Sequence, residues 1–373
     1  MAIKIIHTAD NHIGLKFRTI TDDKVKEKLI AERFDALERI VQKGNESKCD
    51  FLVLAGDLFD TASPLKGDID KTINILRKFE NEVIVVPGNH DYYEGVDSKV
   101  WSSFLDNITG SRISLLIHYR AEKYETNEGD VYFYPCPCNS KHGDQHLTGW
   151  VGDVSKDPKA IHIGIAHGNV EGLGLDEEGR YFNMTENDLK SAGVDTWLLG
   201  HIHIPYPSST NIGNPVYFMS GTHTPEHIKR RAAGGAWLIE IDKTKDLKFE
   251  QFISGVISFH RIEATIKSEN DIEQLKSKLD QLTAASTILD LKLTGRLSAS
   301  ESESLQQMIE ELEKRFLYLT SERQILKKID IALIGNEFAD GTFAYELLKT
   351  LSNDPENERA LELAYDRIKQ NQQ

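Results

Sequence analysis

Apolar and polar positions alternate along the first 257 residues with two different periods. The short β-branched runs Ile3–Thr8, Phe51–Ala55, Val83–Val86, Ile161–Ala166 and Thr196–Leu199 predict strands buried on both faces. Between the early runs, Asp23–Gly44 and Asp68–Glu80 carry apolar residues three and four apart. Ile69, Ile73, Leu76 and Phe79 form one such stripe, as amphipathic helices require. Strand–helix alternation of this kind predicts a layered α/β fold. Val216–Met219, Ala236–Ile241 and Phe249–Ile253 come without long helices between them, so part of the sheet system is expected to be antiparallel.

The pattern changes near Ser258. A strand (Phe259–Ile266), a helix (Asp271–Leu282), a strand (Thr287–Leu293), a helix (Ser302–Arg315) and a short strand (Leu317–Thr320) predict a small α+β domain. Leu305, Met308, Ile309, Leu312 and Phe316 make a helical stripe suited to pack on that domain's own sheet. The tail Gly341–Gln373 reads as two amphipathic helices broken at Asn353-Asp354-Pro355. The expected organisation is therefore 1–257, 258–335 and 336–373.

Composition narrows the class. The 373 residues are 39% hydrophobic and 28% charged, as in an ordinary globular protein. No apolar run approaches the roughly 20 residues of a membrane helix. The start, MAIKIIHTAD, lacks the long apolar core and small-residue cleavage site of a signal peptide. Three cysteines, Cys49, Cys136 and Cys138, argue against a disulfide scaffold and for a reducing compartment. A cytoplasmic location is expected. The net charge of −15 disfavours non-specific coating of nucleic acid, but not an enzyme that acts on it. Bound divalent cations or the basic stretch His227–Arg231 could reverse the field locally.

Candidate chemistry follows each strand of the first domain. Asp10-Asn11-His12, Gly56-Asp57-Leu58-Phe59-Asp60, Gly88-Asn89-His90-Asp91, His167-Gly168-Asn169 and Gly200-His201-Ile202-His203 stand at five strand ends. Ligands of open α/β sheets bind at that edge. Carboxylate, amide oxygen and imidazole together suit Mn²⁺, Fe²⁺, Zn²⁺ or Co²⁺ better than Ca²⁺ or Mg²⁺, and the lack of Cys disfavours a structural zinc site. Asp10-x-His12 and His201-x-His203 each put two ligands on one face if the backbone stays extended. Two ions bridged by a carboxylate would use all the donors. Taken singly, GNHD is an ordinary turn and HxH an ordinary surface pair. The joint occurrence at five strand ends is what points to a site.

Together these motifs resemble those of the calcineurin-like metallophosphoesterases. The flanks HTADNHIG, LAGDLFDTASP and VPGNHD are similar to the SbcD-type DNA-repair nuclease subunits, including the standalone YhaO-like branch and the meiotic-recombination nuclease. The region after Ser258 fits their capping domain by position. The resemblance implies a metallophosphoesterase sandwich with its metal site at the C-terminal strand ends. Asp10, His12 and His203 would hold one metal, Asn89, His167 and His201 the other, with Asp57 between them. His90 would face the scissile phosphate and Asp91 would orient His90 through a hydrogen bond. Two Mn²⁺ ions, DNA as substrate, a homodimer and an SMC-like ATPase of the SbcC type are implied as well. Asp60 stands where some of these nucleases have histidine, and its role is left open.

The activity expected is two-metal hydrolysis of DNA phosphodiesters, exonucleolytic and endonucleolytic, in double-strand-break processing. The alternatives are a phosphoesterase on small molecules or nucleotides and a mainly structural dimeric platform. Asp68–Glu80 and Val96–Asp106 resemble the family's dimerising region, and the tail is either a docking segment for the ATPase or folded on its own domain. His7 and His162 are expected in the core and Cys136 and Cys138 in packing. His118, His142 and His146 are expected at the surface. His223 and His227 are candidates for the border of the site.

Overall fold

The computed structural model describes residues 2–95, 98–172, 180–208, 213–227, 233–354 and 357–371. The chain divides into two compact units, Met1–Ser258 and Phe259–Gln373. The first unit runs β1 (Ala2–Thr8), α1 (Asp23–Glu46), β2 (Phe51–Ala55), α2 (Lys66–Leu76), β3 (Glu82–Val86), α3 (Lys99–Ile108), β4 (Ile113–Leu115), β5 (Glu122–Thr126) and β6 (Gly129–Cys136). It continues with β7 (Ile161–His167), α4 (Glu186–Ser191), β8 (Thr196–Gly200), β9 (Tyr217–Met219), β10 (Gly235–Asp242) and β11 (Leu247–Ile253).

These strands form two sheets, ordered β11-β10-β1-β2-β3-β4 and β5-β6-β7-β8-β9. β1 to β4 pair in parallel, as do β6 to β9. β10 and β11 join antiparallel, in keeping with the missing crossover helices. Alternate residues of each central strand serve two cores. Ile3, Ile5, Phe51, Val53, Ile84 and Val86 face Phe133, Ile163, Ile165 and Leu198 of the other sheet. Ile6, Leu52, Leu54, Val83 and Val85 pack outward with Phe34, Leu37, Ile73, Leu76 and Phe104 of α1 to α3. Both faces are thus buried, which explains the unbroken apolar runs. α1 begins on Asp22, whose side chain accepts from Val25 N at 3.0 Å.

The second unit runs β12 (Ser258–Ile266), α5 (Glu269–Leu279), β13 (Thr287–Leu297), α6 (Ala299–Arg315), β14 (Tyr318–Lys327), α7 (Ile331–Glu337), α8 (Phe343–Ser352) and α9 (Glu358–Gln370). Leu305, Met308, Ile309, Leu312 and Phe316 pack on Leu289, Leu291 and Leu293 of its sheet. β14 extends well past the expected Leu317–Thr320. As an edge strand it carries Glu322, Arg323 and Gln324 on exposed positions, so its polar half does not read as strand. α7 was not expected; its Ile334 joins Phe338, Leu348 and Leu361 in a small helical core. The two tail helices fold within this unit: Arg296 of β13 reaches Asp366 at 2.6 Å, and Lys267 reaches Glu358 at 3.4 Å. Val96, Pro355 and Ile228–Arg231 lie outside the described residues.

Candidate metal centre

Each expected donor follows or ends a parallel strand, and all of them meet at one edge of the sandwich. The turns that bring them there are not extended. Asp10 (φ 50°), His12 (φ 40°), Asp57 (φ 52°) and His201 (φ 102°) adopt positive φ, which is costly for residues with a side chain. The extended-face reasoning for Asp10-x-His12 and His201-x-His203 is therefore corrected: strained turns, not strand alternation, aim these side chains. Close approach demands glycine at two points. A Cβ on Gly88 would lie 2.3 Å from Asp57 N, and one on Gly56 would lie 2.2 Å from His167 Nδ1.

Asp57 stands at the middle. Its Oδ1 accepts from His90 N at 2.7 Å. Its Oδ2 lies 3.2 Å from His167 Nε2 and 3.6 Å from His12 Nε2. One carboxylate oxygen thus faces both halves of the cluster. On one side His12 Nε2 and His203 Nε2 are 3.3 Å apart, and His203 Nε2 is 3.6 Å from Asp10 Oδ1. On the other, Asn89 Oδ1 lies 3.0 Å from His167 Nε2 and 3.2 Å from His201 Nδ1. Asn89 Nδ2 donates to Lys141 O at 3.3 Å, which turns the amide oxygen toward the imidazoles. His167 Nδ1 donates to Ala55 O at 3.0 Å, leaving its Nε2 for the cluster. Asp10 also accepts His201 N at 3.0 Å.

Among the described residues, three sets of donors could share an ion: Asp10, His12 and His203; Asp10, Asp57 and His167; and His12, Asp57 and His90. The donor set fits divalent transition ions. Nitrogen lone pairs and carboxylate oxygens converge on common points, and Asp10, His12, Asp57, Asn89 and His167 are nearly inaccessible to solvent. Without cations such a cluster is electrostatically expensive. Burial alone would raise the Asp57 carboxyl, but the His167 ring beside it outweighs burial and holds it well below the usual range. Burial, then the neighbouring His167, keeps the His201 ring neutral down to about 3.

Asp91 departs from expectation. The His90 ring lies edge-on to His12 at 4.7 Å, and its Nδ1 meets Asp60 O at 3.1 Å. The Asp91 carboxylate does not hold it. It is fully buried and accepts Gly88 N at 2.7 Å and Phe59 N at 3.0 Å. Asp91 is thus a clamp between two ligand loops, and Trp101 Nε1 of α3 holds its carbonyl from behind. Burial, then the nearby Asp57, pushes its carboxyl up to about 7.

Other residues sort as their surroundings dictate. His7 and His162 are buried, and Cys136 and Cys138 are buried free thiols. His118, His142 and His146 are exposed, though His142 packs on Tyr181 at 5.0 Å, which in turn covers His201 at 4.9 Å. His223 is buried behind the site and donates to Arg33 O at 2.7 Å, and His227 is exposed. Within GTHTPEH, the Glu226 carboxylate accepts His203 Nδ1–H, and Thr222 Oγ1 donates to Asp10 O at 3.1 Å. Neither Glu226 nor the buried Arg33 was singled out from the sequence.

The family model of calcineurin-like phosphoesterases matches residues 3–205, more than half of the chain. The chain belongs to this family. This calcineurin-like phosphoesterase family member carries a cluster of candidate divalent-metal ligands. It is 27% identical over 261 residues to YhaO, an uncharacterized metallophosphoesterase of Bacillus subtilis strain 168. The match covers 66% of this chain and 59% of the relative, so the chain spans less than two thirds of that relative's length. Among solved structures it is similar to a Thermus thermophilus protein (12% identity, TM-score 0.41) and to a dimetal phosphatase from Danio rerio (12%, TM-score 0.38). Each likeness covers 67% of this chain and 99% of the other. Among the described residues no helix is long and apolar enough to cross a membrane.

Proposed function

We propose that this calcineurin-like phosphoesterase is a DNA nuclease, exonucleolytic and endonucleolytic, that processes double-strand-break ends. The observation that carries the reading is the set of flanks HTADNHIG, LAGDLFDTASP and VPGNHD, which is similar to SbcD-type subunits. A second α+β unit after Ser258 supports it by position. The same reading makes the protein a cytoplasmic homodimer working with an SMC-like ATPase of the SbcC type. Phe343 of α8 (81% exposed) and Leu363 of α9 (59% exposed) offer apolar contacts for such a partner.

In this reading Asp10, His12 and His203 would hold one ion and Asn89, His167 and His201 the other, with Asp57 between the two halves. Mn²⁺ suits the mixed nitrogen and oxygen donors. Two divalent ions supply Lewis-acid stabilisation of phosphoryl charge and activation of the attacking water. The chain supplies the rest. His90, fixed through Nδ1 on the Asp60 carbonyl, presents Nε2 to the substrate and gives its proton to the leaving sugar oxygen. The Asp57 and Asp10 carboxylates are held by His90 N and His201 N, which pre-organises the ligand frame.

The test is cleavage of single-stranded, blunt and hairpin DNA with Mn²⁺, with and without a candidate ATPase partner. Metal-dependent cleavage is expected. Hydrolysis of bis-(p-nitrophenyl) phosphate that DNA does not inhibit, with no DNA cut under any metal, would establish the small-molecule alternative instead.

A further inference from the structure

His12 and His203 face each other through Nε2, and each has its other ring nitrogen toward a carboxylate. His12 Nδ1 lies 3.3 Å from Asp60 Oδ1, without hydrogen-bond geometry. His203 Nδ1 makes a close, charge-assisted hydrogen bond to Glu226 Oε1. Behind them, Arg33 of α1 is 1% exposed and donates through Nε to Asn11 O at 2.9 Å, at the residue between Asp10 and His12. Its terminal nitrogens have no hydrogen-bond partner among the described residues; burial lowers its pKa, and the Glu226, Asp60 and Asp10 carboxylates act against that. A buried guanidinium there offsets part of the negative charge of these carboxylates.

We propose that Glu226 is a positioning residue: it fixes His203 in the Nδ1–H tautomer, so that Nε2 carries the lone pair facing His12 and Asp10. The inference rests on the dinuclear reading of the site and deepens it. An imidazole that donates Nδ1–H to a carboxylate is both oriented and made a stronger donor at Nε2. No described carboxylate stands in this relation to His167, whose Nδ1 meets the Ala55 carbonyl. Glu226 therefore strengthens the Asp10–His12–His203 half selectively.

The experiment compares wild type, Glu226→Met, which keeps the volume without an acceptor, and Glu226→Gln, which keeps an acceptor oxygen. Mn²⁺ is titrated by calorimetry, and histidine tautomers are read by ¹⁵N-edited NMR on the full chain before metal is added. Wild type is expected to bind two Mn²⁺ and to show His203 protonated at Nδ1. Glu226→Met should weaken one binding step about 10- to 100-fold, leave the other unchanged and mix the His203 tautomers. Glu226→Gln should recover most of both. Unchanged titration in Glu226→Met, equal weakening of both steps, or wild-type His203 protonated at Nε2 overturns the proposal. The last readout needs no variant. A wild type that binds no Mn²⁺ overturns the dinuclear reading and this proposal with it; one that binds two ions, alongside an indifferent Glu226→Met, overturns this proposal alone.

Discussion

His12 Nε2 and His203 Nε2 approach to 3.3 Å although their residues are far apart in the chain, one following β1 and the other following β8. At that distance the two nitrogens either share a proton, one ring donating to the other, or turn both lone pairs to a cation held with the Asp10 and Asp57 carboxylates. Divalent metal should therefore stabilise the fold. Removal with a chelator should lower the melting temperature, and Mn²⁺ at a hundred times its dissociation constant should add about 2.7 kcal/mol per site. Thermal scans across a Mn²⁺ series measure this. A melting temperature indifferent to Mn²⁺ would sink the assignment.

Asn89 and His90 are neighbours with different partners. Asn89 Oδ1 faces His167 and His201, whereas the His90 side chain is held by the Asp60 carbonyl. His90→Asn should lower cleavage about 10²- to 10⁴-fold with both Mn²⁺ retained. Asn89→Ala should weaken one of the two binding steps, and excess Mn²⁺ should restore part of the activity. Metal content by elemental analysis beside turnover separates the two. Loss of metal from His90→Asn would make His90 a ligand, a role its nearness to His12 and Asp57 leaves open to test.

Asp91 should behave as a clamp. In Asp91→Ala the buried Gly88 and Phe59 N–H groups lose their acceptor, at about 1–3 kcal/mol each. The loops carrying Asp57 and Asn89 then loosen together, so chemical denaturation should show lost stability and the metal titration should weaken. An orienter of His90 would predict the opposite: Asp91→Asn with normal stability and metal binding but slow turnover.

How far the site was legible follows from burial. The strands β1, β2, β3, β7 and β8 are covered on both faces, so their apolar runs stand out and the polar residues ending them are conspicuous. β5 and β14 alternate with solvent, and their charged positions hide them. The orienting role that the resemblance implied for Asp91 is not what the turn builds, because its carboxylate is taken by Gly88 N and Phe59 N. Glu226 and Arg33 were invisible for a different reason. Glu226 follows β9, Arg33 lies mid-helix in α1, and only the sandwich brings both behind His203 and Asn11. Histidines are the conspicuous ligand types in GTHTPEH, yet Glu226 and Thr222 make the contacts with His203 and Asp10.

His7 gives a pH test outside the metal cluster. It lies in β1 on the face between the sheets, fully buried, and donates through Nε2 to Leu199 O of β8 at 3.1 Å. Burial lowers its pKa to about 4, against the 6.5 of an exposed ring. Between those values the unfolded chain binds the proton and the folded chain does not, so stability rises with pH there. The contribution is complete above pH 6.5, falls as pH drops toward 4, and amounts to about 3 kcal/mol over the window. His7→Gln keeps an N–H donor but cannot titrate. Urea unfolding at fixed pH between about 4 and 7 should give a shallower pH dependence for this variant than for wild type. Parallel curves would show that His7 charges in the folded state and that its burial is not what resists acid.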